Sequence, residues 1–289
     1  MAVVEFIYPN VASVRQRGGL AERWALADAA GCSYVEMPAD LVKNRTEVER
    51  TGQDVGSFLS AASIELLYES GGGVDGGVRY ILHTEPSVPR RDGYDLVTQT
   101  PLRWYDDAWV TTFVEMLLGI EEFLGSPAAA VEIHPGDARN THEDLILAVD
   151  DIVEAHESAF GFAPLVLLEN RTNQIIADGA DMAAFWDCIR TEAPETACRF
   201  GFVIDLQQLY AVTRGRLAAA FSEVPQRAIA GLHVHHRHRC PSPSDPIAWE
   251  DVFAVVRKID RPLLVTPAVH DARRVQDAMG FCRRMLGNG

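Results

Sequence analysis

The chain is expected to form one eightfold β/α barrel of the TIM type, with parallel strands, over residues 1–289. Three observations lead there. Apolar strand-like runs alternate with helical runs from end to end. The 289 residues divide into about 36 per unit, close to the usual size of this architecture. Five apolar runs also end in a residue able to bind a divalent metal: Tyr80-Ile-Leu-His83, Ala130-Val-Glu-Ile-His134, Leu165-Val-Leu-Leu-Glu169, Phe202-Val-Ile-Asp205 and Ala230-Gly-Leu-His233. These end residues are spaced by 51, 35, 36 and 28 positions, the rhythm of one strand plus one helix. A parallel barrel gathers the C-terminal ends of its strands around one mouth. His83, His134, Glu169, Asp205 and His233 are therefore expected there together, as a nitrogen and oxygen shell suited to zinc or manganese.

In chain order, Val3–Tyr8 reads as the first strand. Gly19–Ala30 reads as a helix, with Leu20, Trp24 and Ala27 on one face and Gly31 as its stop. Ser33–Met37 is the second strand, closed by Pro38. A polar helical stretch follows, then a helical run over Ser57–Glu69 with Phe58, Leu59, Ala62 and Leu66 apolar. Gly71–Gly77 is a flexible turn. It lacks the Lys-Ser/Thr ending of a phosphate loop and precedes a strand. Arg79–His83 is the third strand. Thr84–Asp107 is a long connection carrying Arg90, Arg91, Tyr94, Arg103, Trp104 and Tyr105. Leaving the C-terminal face, it is placed either to cover the site or to form an exposed variable loop.

Ala108–Leu124 is a helix and Ala129–His134 the fourth strand. His142–Phe160 is a helix capped by Thr141, with Asp144 three residues on. Leu165–Glu169 is the fifth strand, Met182–Glu192 a helix, Phe200–Asp205 the sixth strand, and Leu217–Phe221 part of a short helix. Ala228–His233 is the seventh strand, Trp249–Lys258 a helix, Pro262–Thr266 the eighth strand and Ala272–Leu286 the last helix. The strands are Val/Ile/Leu-rich without strict polar alternation, as when both faces are covered. No linker or composition break marks a second domain.

Side chains alternate along a strand. If His134 points inward, so does Glu132. Glu169 shares a face with Leu167, Asp205 with Val203, His233 with Gly231, and Glu36 with Tyr34. Inward carboxylates require a metal, a cation or hydrogen bonds. Glu36 and Glu132 are thus candidate substrate-binding groups. Leu232–Arg239 carries four His residues, so His236 and His238 join His233 as candidate ligands.

The formal net charge is −15. An acidic surface repels polyanions, which makes nucleic acid an unfavoured partner. Cysteines at 32, 188, 198, 240 and 282 form no CxxC pair, a pattern of reduced thiols in a cytoplasmic protein. The first residues, Met1–Glu5, show no basic region followed by a long apolar stretch. No apolar run approaches the ~20 residues of a membrane span.

These residues resemble the xylose isomerase-like barrel superfamily, which holds sugar isomerases and epimerases, hydroxyacid isomerases and the endonuclease IV branch (AP endonuclease family 2). The similarity covers nearly the whole chain. Ile133-His-Pro-Gly136 is similar to the family's His-Pro-Gly turn, and Leu168-Glu-Asn170 to its Glu-Asn metal-ligand strand. Asp205-Leu-Gln-Gln208 stands where the family has Asp-x-x-His. Leu232-His-Val-His-His236 stands where it has a His strand end followed by an acidic residue. Asp245–Phe253 resembles the start of the seventh helix, and His83 a third-strand ligand of the endonuclease branch. Three positions depart from the pattern. Thr266 replaces a closing Glu, Gln208 replaces a His, and His236 replaces the acid.

The resemblance implies a metal-dependent isomerase or epimerase acting through an enediolate on a small polyol, sugar, sugar phosphate or hydroxyacid. Glu169 would be ligand or base, and His134 ligand or proton carrier. Asp205 and His233 would be ligands, with Asn170, Gln208 and Thr266 lining the substrate. Two alternatives stay open. Retention of His83 and His134 points to a phosphoester hydrolase like endonuclease IV. Thr266 and Gln208 point to a barrel that binds metal or ligand without catalysis.

Overall fold

A computed structural model describes residues 3–10, 19–38, 78–84, 87–89, 96–99 and 102–287. Eight parallel strands close into a barrel: β1 (Val4–Tyr8), β2 (Tyr34–Pro38), β3 (Arg79–His83), β6 (Ala130–Ile133), β7 (Leu165–Glu169), β8 (Phe200–Asp205), β9 (Ile229–His233) and β10 (Leu263–Thr266). Closure is made by β1 against β10, in the register Val4 opposite Leu263 and Phe6 opposite Val265. An antiparallel pair, β4 (Ser87–Pro89) and β5 (Leu96–Gln99), lies in the long connection after β3.

The outer layer is α1 (Gly19–Ala30), α2 (Asp107–Leu124), α3 (His142–Phe160), α4 (Gly179–Glu192), α5 (Pro194–Ala197), α6 (Leu206–Thr213), α7 (Leu217–Glu223), α8 (Trp249–Val256) and α9 (Val275–Leu286). No described helix is long and apolar enough to cross a membrane. Local chemistry sets the ends of the larger helices. Asp106 caps α2 by accepting from Trp109 N, and Gly125, at φ 78°, ends it. Thr141 and Asp144 form a reciprocal capping box on α3, which satisfies backbone donors that have no partner within the helix.

The larger helices turn an apolar stripe to the barrel. Phe113, Leu117 and Ile120 on α2, Val149 and Ile152 on α3, and Phe185 and Ile189 on α4 are fully buried. Their spacing of three, four or seven residues is what a helix needs to keep one face inward. A second, smaller cluster fills the barrel: Ile7, Tyr34, Ile81, Ala130, Leu167, Val203 and Ala230. Period-two alternation then carries Glu36, His83, Glu132 and Glu169 to the same interior, one layer nearer the mouth.

Several elements differ from the sequence expectation. Asp205 both ends β8 and caps α6, so the helix starts with no loop and no turn residues to announce it. The short α5 starts with Pro194 at its first position. The last helix opens with a separate 3₁₀ turn, Ala272–Arg274. The helical stretches expected after Pro38 and over 57–69, the glycine run 71–77, and Arg90, Arg91 and Tyr94 lie outside the described residues.

Candidate metal centre at the barrel mouth

Six of the expected site residues meet at the C-terminal end of the barrel. Glu36 Oε1 approaches His83 Nδ1 at 2.5 Å, and its other oxygen accepts from Asn10 N at 3.0 Å. His83 Nε2 faces His134 Nε2 at 3.3 Å, Glu169 Oε2 at 3.3 Å and Glu132 Oε1 at 3.7 Å. His233 bridges the two carboxylates, with Nε2 3.1 Å from Glu132 Oε1 and Nδ1 3.4 Å from Glu169 Oε2. Glu36, Glu132, His134, Glu169 and His233 are all buried.

Among the described residues, two groups place ligand atoms close enough for one ion: His83, His134 and Glu169, and Glu132, Glu169 and His233. Glu169 belongs to both. Glu132 Oε1 and His233 Nε2 are buried without a hydrogen-bond partner, although they lie 3.1 Å apart. Both facts hold because distance alone does not align an N–H with a lone pair. Unsatisfied buried polar atoms are costly, and these two border the same small space as Glu169. Imidazole and carboxylate donors in this arrangement fit zinc or manganese. The residues present therefore suit a divalent ion.

Electrostatics within the cluster separates the carboxylates. Burial opposes charge on Glu169, but His233 and His134 override it and hold its pKa well below 4.5. Burial likewise opposes charge on Glu36, and His83 reverses the balance and lowers its pKa. Glu132 differs. Burial prevails over His233 and His83, and its pKa is raised. His83 and His233 are pushed well above 6.5 against their own burial, the first by Glu132 and Glu36, the second by Glu132 and Glu169.

The remaining candidates form a second polar group beside this cluster. Asp205 Oδ1 caps α6 through Gln207 N at 2.8 Å and Gln208 N at 3.0 Å. Its Oδ2 meets His235 Nε2 at 3.1 Å. His235 Nδ1 accepts from His238 N, so the Nε2 proton points to Asp205. Asn170 Oδ1 accepts from Asp205 N at 2.8 Å, and Gln208 Oε1 accepts from Thr172 Oγ1 at 2.7 Å. Both brace loops. Thr266 is buried in register with His233. His236 lies away from the cluster, 2.9 Å from Asp245 Oδ1. His238 stacks between His235 and His270, with ring centroids 4.4 and 4.0 Å apart. Burial, then His235 and His270, lowers its pKa to about 4.

Sequence reasoning overlooked His235 and Arg171. The His-Val-His spacing gave a signal for His235, since the residue two beyond an inward strand end faces inward again. Arg171 Nη1 lies 3.4 Å from His134 Nε2, and its place after Glu169-Asn170 was the only hint. Trp104, in the long connection, donates to His134 O at 3.0 Å.

No protein-family model matches the chain, and no curated protein does. Solved structures do resemble it. D-allulose 3-epimerase from Methylomonas sp. in complex with D-allulose aligns at a TM-score of 0.57 with 16% identity, over 99% of this chain and 98% of that one. The 3-keto-D-glucoside 4-epimerase of E. coli gives 0.56 and 12%, over 98% and 100%. A xylose isomerase domain protein from Alicyclobacillus acidocaldarius gives 0.54 and 14%, over 99% of each chain. The closed parallel barrel and these full-length alignments show that the chain shares the TIM-barrel fold of those proteins.

Proposed function

We propose that this barrel is a metal-dependent isomerase or epimerase of a small polyhydroxy compound, with Glu169 at the centre of its site. The observation that carries the reading is the convergence of two potential ligand groups on the Glu169 carboxylate, with Glu132 Oε1 and His233 Nε2 buried 3.1 Å apart beside it. The sugar epimerases that share the fold support the reaction class.

The chemistry follows from the separated carboxylates. An isomerase removes a proton next to a carbonyl and returns one to the neighbouring carbon, and an epimerase returns one to the opposite face of the same carbon. Glu169, held ionised, suits removal, and Glu132, drawn toward its neutral form by burial, suits return where the ion takes the His83, His134 and Glu169 group. Two carboxylates whose surroundings drive their pKa values apart take opposite acid and base roles. His134, next to Glu169 at 3.8 Å, is placed to carry a proton between them and the substrate. A bound divalent ion would supply Lewis-acid stabilisation of negative charge developing on substrate oxygens.

Solvent deuterium exchange tests the reading. Protein reconstituted with Mn²⁺ or Zn²⁺ is incubated in D₂O with ketohexoses, pentuloses and short hydroxyacids. Metal-dependent deuterium uptake at a carbon beside a carbonyl is expected for at least one compound. Exchange in none, or equal exchange after chelation, contradicts it. The hydrolase reading draws support from His83 and His134 in one ligand group, while the −15 charge weighs against a nucleic-acid substrate. Robust incision of abasic-site duplex DNA at physiological salt would reverse the order.

A further inference from the structure

We propose that Glu36 is a positioning residue for the metal centre: its carboxylate holds the proton on His83 Nδ1, so that Nε2 offers its lone pair to a divalent ion. This rests on the metal reading above and deepens it, giving Glu36 a role behind the ligands in place of contact with the substrate.

The barrel register sets up the pair. Glu36 on β2 lies opposite Ile81 on β3, and Pro38 lies opposite His83. Glu36 and His83 therefore share the interior face as diagonal neighbours, and the long glutamate side chain spans the diagonal. Its Oε1 reaches His83 Nδ1 at 2.5 Å. Its Oε2 accepts at 3.0 Å from the backbone N of Asn10, two residues beyond the end of β1. The carboxylate is thus pinned from both neighbouring strands, and little of either side chain is exposed to water.

Glu36 stands apart from the other two buried glutamates of the cluster. Glu132 and Glu169 each belong to a potential ligand group, and Glu36 belongs to neither. His233 turns both ring nitrogens to carboxylates of its own group. His83 turns one nitrogen to the cluster and the other to Glu36, an acid outside both groups.

That arrangement settles the tautomer. A neutral imidazole carries one N–H and one lone pair, and the partner of one nitrogen decides the state of the other. A carboxylate anion only accepts, so Nδ1 is the donor. The lone pair is left on Nε2, 3.3 Å from both His134 Nε2 and Glu169 Oε2, the residues with which His83 forms its ligand group. Negative charge behind the ring also makes Nε2 a more basic ligand.

The test compares the Zn²⁺ affinity of wild type, Glu36→Ala and Glu36→Asp, by competition with a chelating dye. It adds ¹⁵N NMR of the histidine rings in Zn²⁺-loaded wild type, the His83 signals being identified by their loss in His83→Gln. His83 is expected to carry a hydrogen-bonded proton on Nδ1 and the metal on Nε2. Glu36→Ala should bind Zn²⁺ roughly 10- to 100-fold more weakly, and Glu36→Asp should recover part of the loss because a carboxylate returns. The wild-type spectrum needs no Glu36 variant and remains decisive if Glu36→Ala does not fold. Wild-type affinity in folded Glu36→Ala overturns the inference. So does loaded wild type whose His83 binds the metal through Nδ1 or keeps its proton on Nε2. Those results leave the metal reading standing. Wild type that takes up no Zn²⁺ overturns both.

Discussion

His233 Nε2 and Glu132 Oε1 face one another at 3.1 Å inside the barrel, both buried and neither in a hydrogen bond. Each side chain is constrained by its strand, with His233 drawn to Glu169 by its other nitrogen. With Glu169 they form one of the two groups whose ligand atoms lie close enough for one ion.

Metal-free protein should show a characteristic pH dependence. The raised pKa values of His83 and His233 give stability that is complete below 6.5 and lost as pH rises through the elevated folded-state values. Raised Glu132 acts in the same direction. The lowered values of Glu36 and Glu169 give stability that is complete above 4.5 and lost as pH falls through the depressed values. Thermal unfolding of chelated protein should therefore be highest between about pH 4.5 and 6.5. Saturating Mn²⁺ or Zn²⁺ should move the optimum upward. Metal at a hundred times its Kd adds about 2.7 kcal/mol, or roughly 4–5 °C in Tm for a chain of this size. A metal-independent profile would contradict the assignment.

A second buried pair tests the scaffold independently. Glu121 on α2 and His156 on α3 meet at 3.1 Å, with both side chains fully buried. Glu121 Oε1 also accepts from Ala128 N, and His156 Nδ1 donates to Ile152 O. Removing one partner leaves the other uncompensated, so Glu121→Ala should cost about 3–5 kcal/mol in chemical denaturation. Metal content at pH 7 should not change. A cost near zero would show that the pair does not clamp the helices.

Gly136 joins scaffold and site. Its φ of 78° is left-handed, and an added Cβ would collide with the Asn140 side chain and press on Leu102. Asn140 in turn accepts from Trp104 N at 2.8 Å, and Trp104 donates to His134 O. Gly136→Ala should cost about 1–2 kcal/mol from backbone conformation alone, with more from the collision. It should also weaken metal binding by displacing His134. Unchanged metal affinity would mean that His134 is held by its strand alone.

Much of this was legible in the sequence. β3, β7 and β8 have the expected limits because each ends in a polar residue after an apolar run. Thr141 and Asp144 announced the start of α3. The inward parity of Glu132 and Glu36 followed from strand alternation. Other features left no local signal. α6 begins directly after the strand's last residue, Asp205, which ends β8 and caps the helix at once. Pairing is also a three-dimensional property. Spacing placed Asp205 and His235 near the mouth but could not show that they bond to each other, while His233 reaches across the barrel to Glu132. Nor did the four-His segment reveal which rings turn inward. A tight turn with Arg237 and His238 both at positive φ sends His236 to Asp245 and His238 to a stack with His270.

The central measurement is the metal content of wild type beside Glu169→Ala, after each is loaded with Mn²⁺ or Zn²⁺ and freed of excess. Glu169 is shared by both potential ligand groups, so no other single substitution disturbs the two together. Wild type should retain metal, and the variant should lose affinity by roughly tenfold or more, since even groups behind a ligand typically contribute that much. Folding of the variant is checked by circular dichroism. Equal metal content in the two folded proteins would contradict a centre built on Glu169.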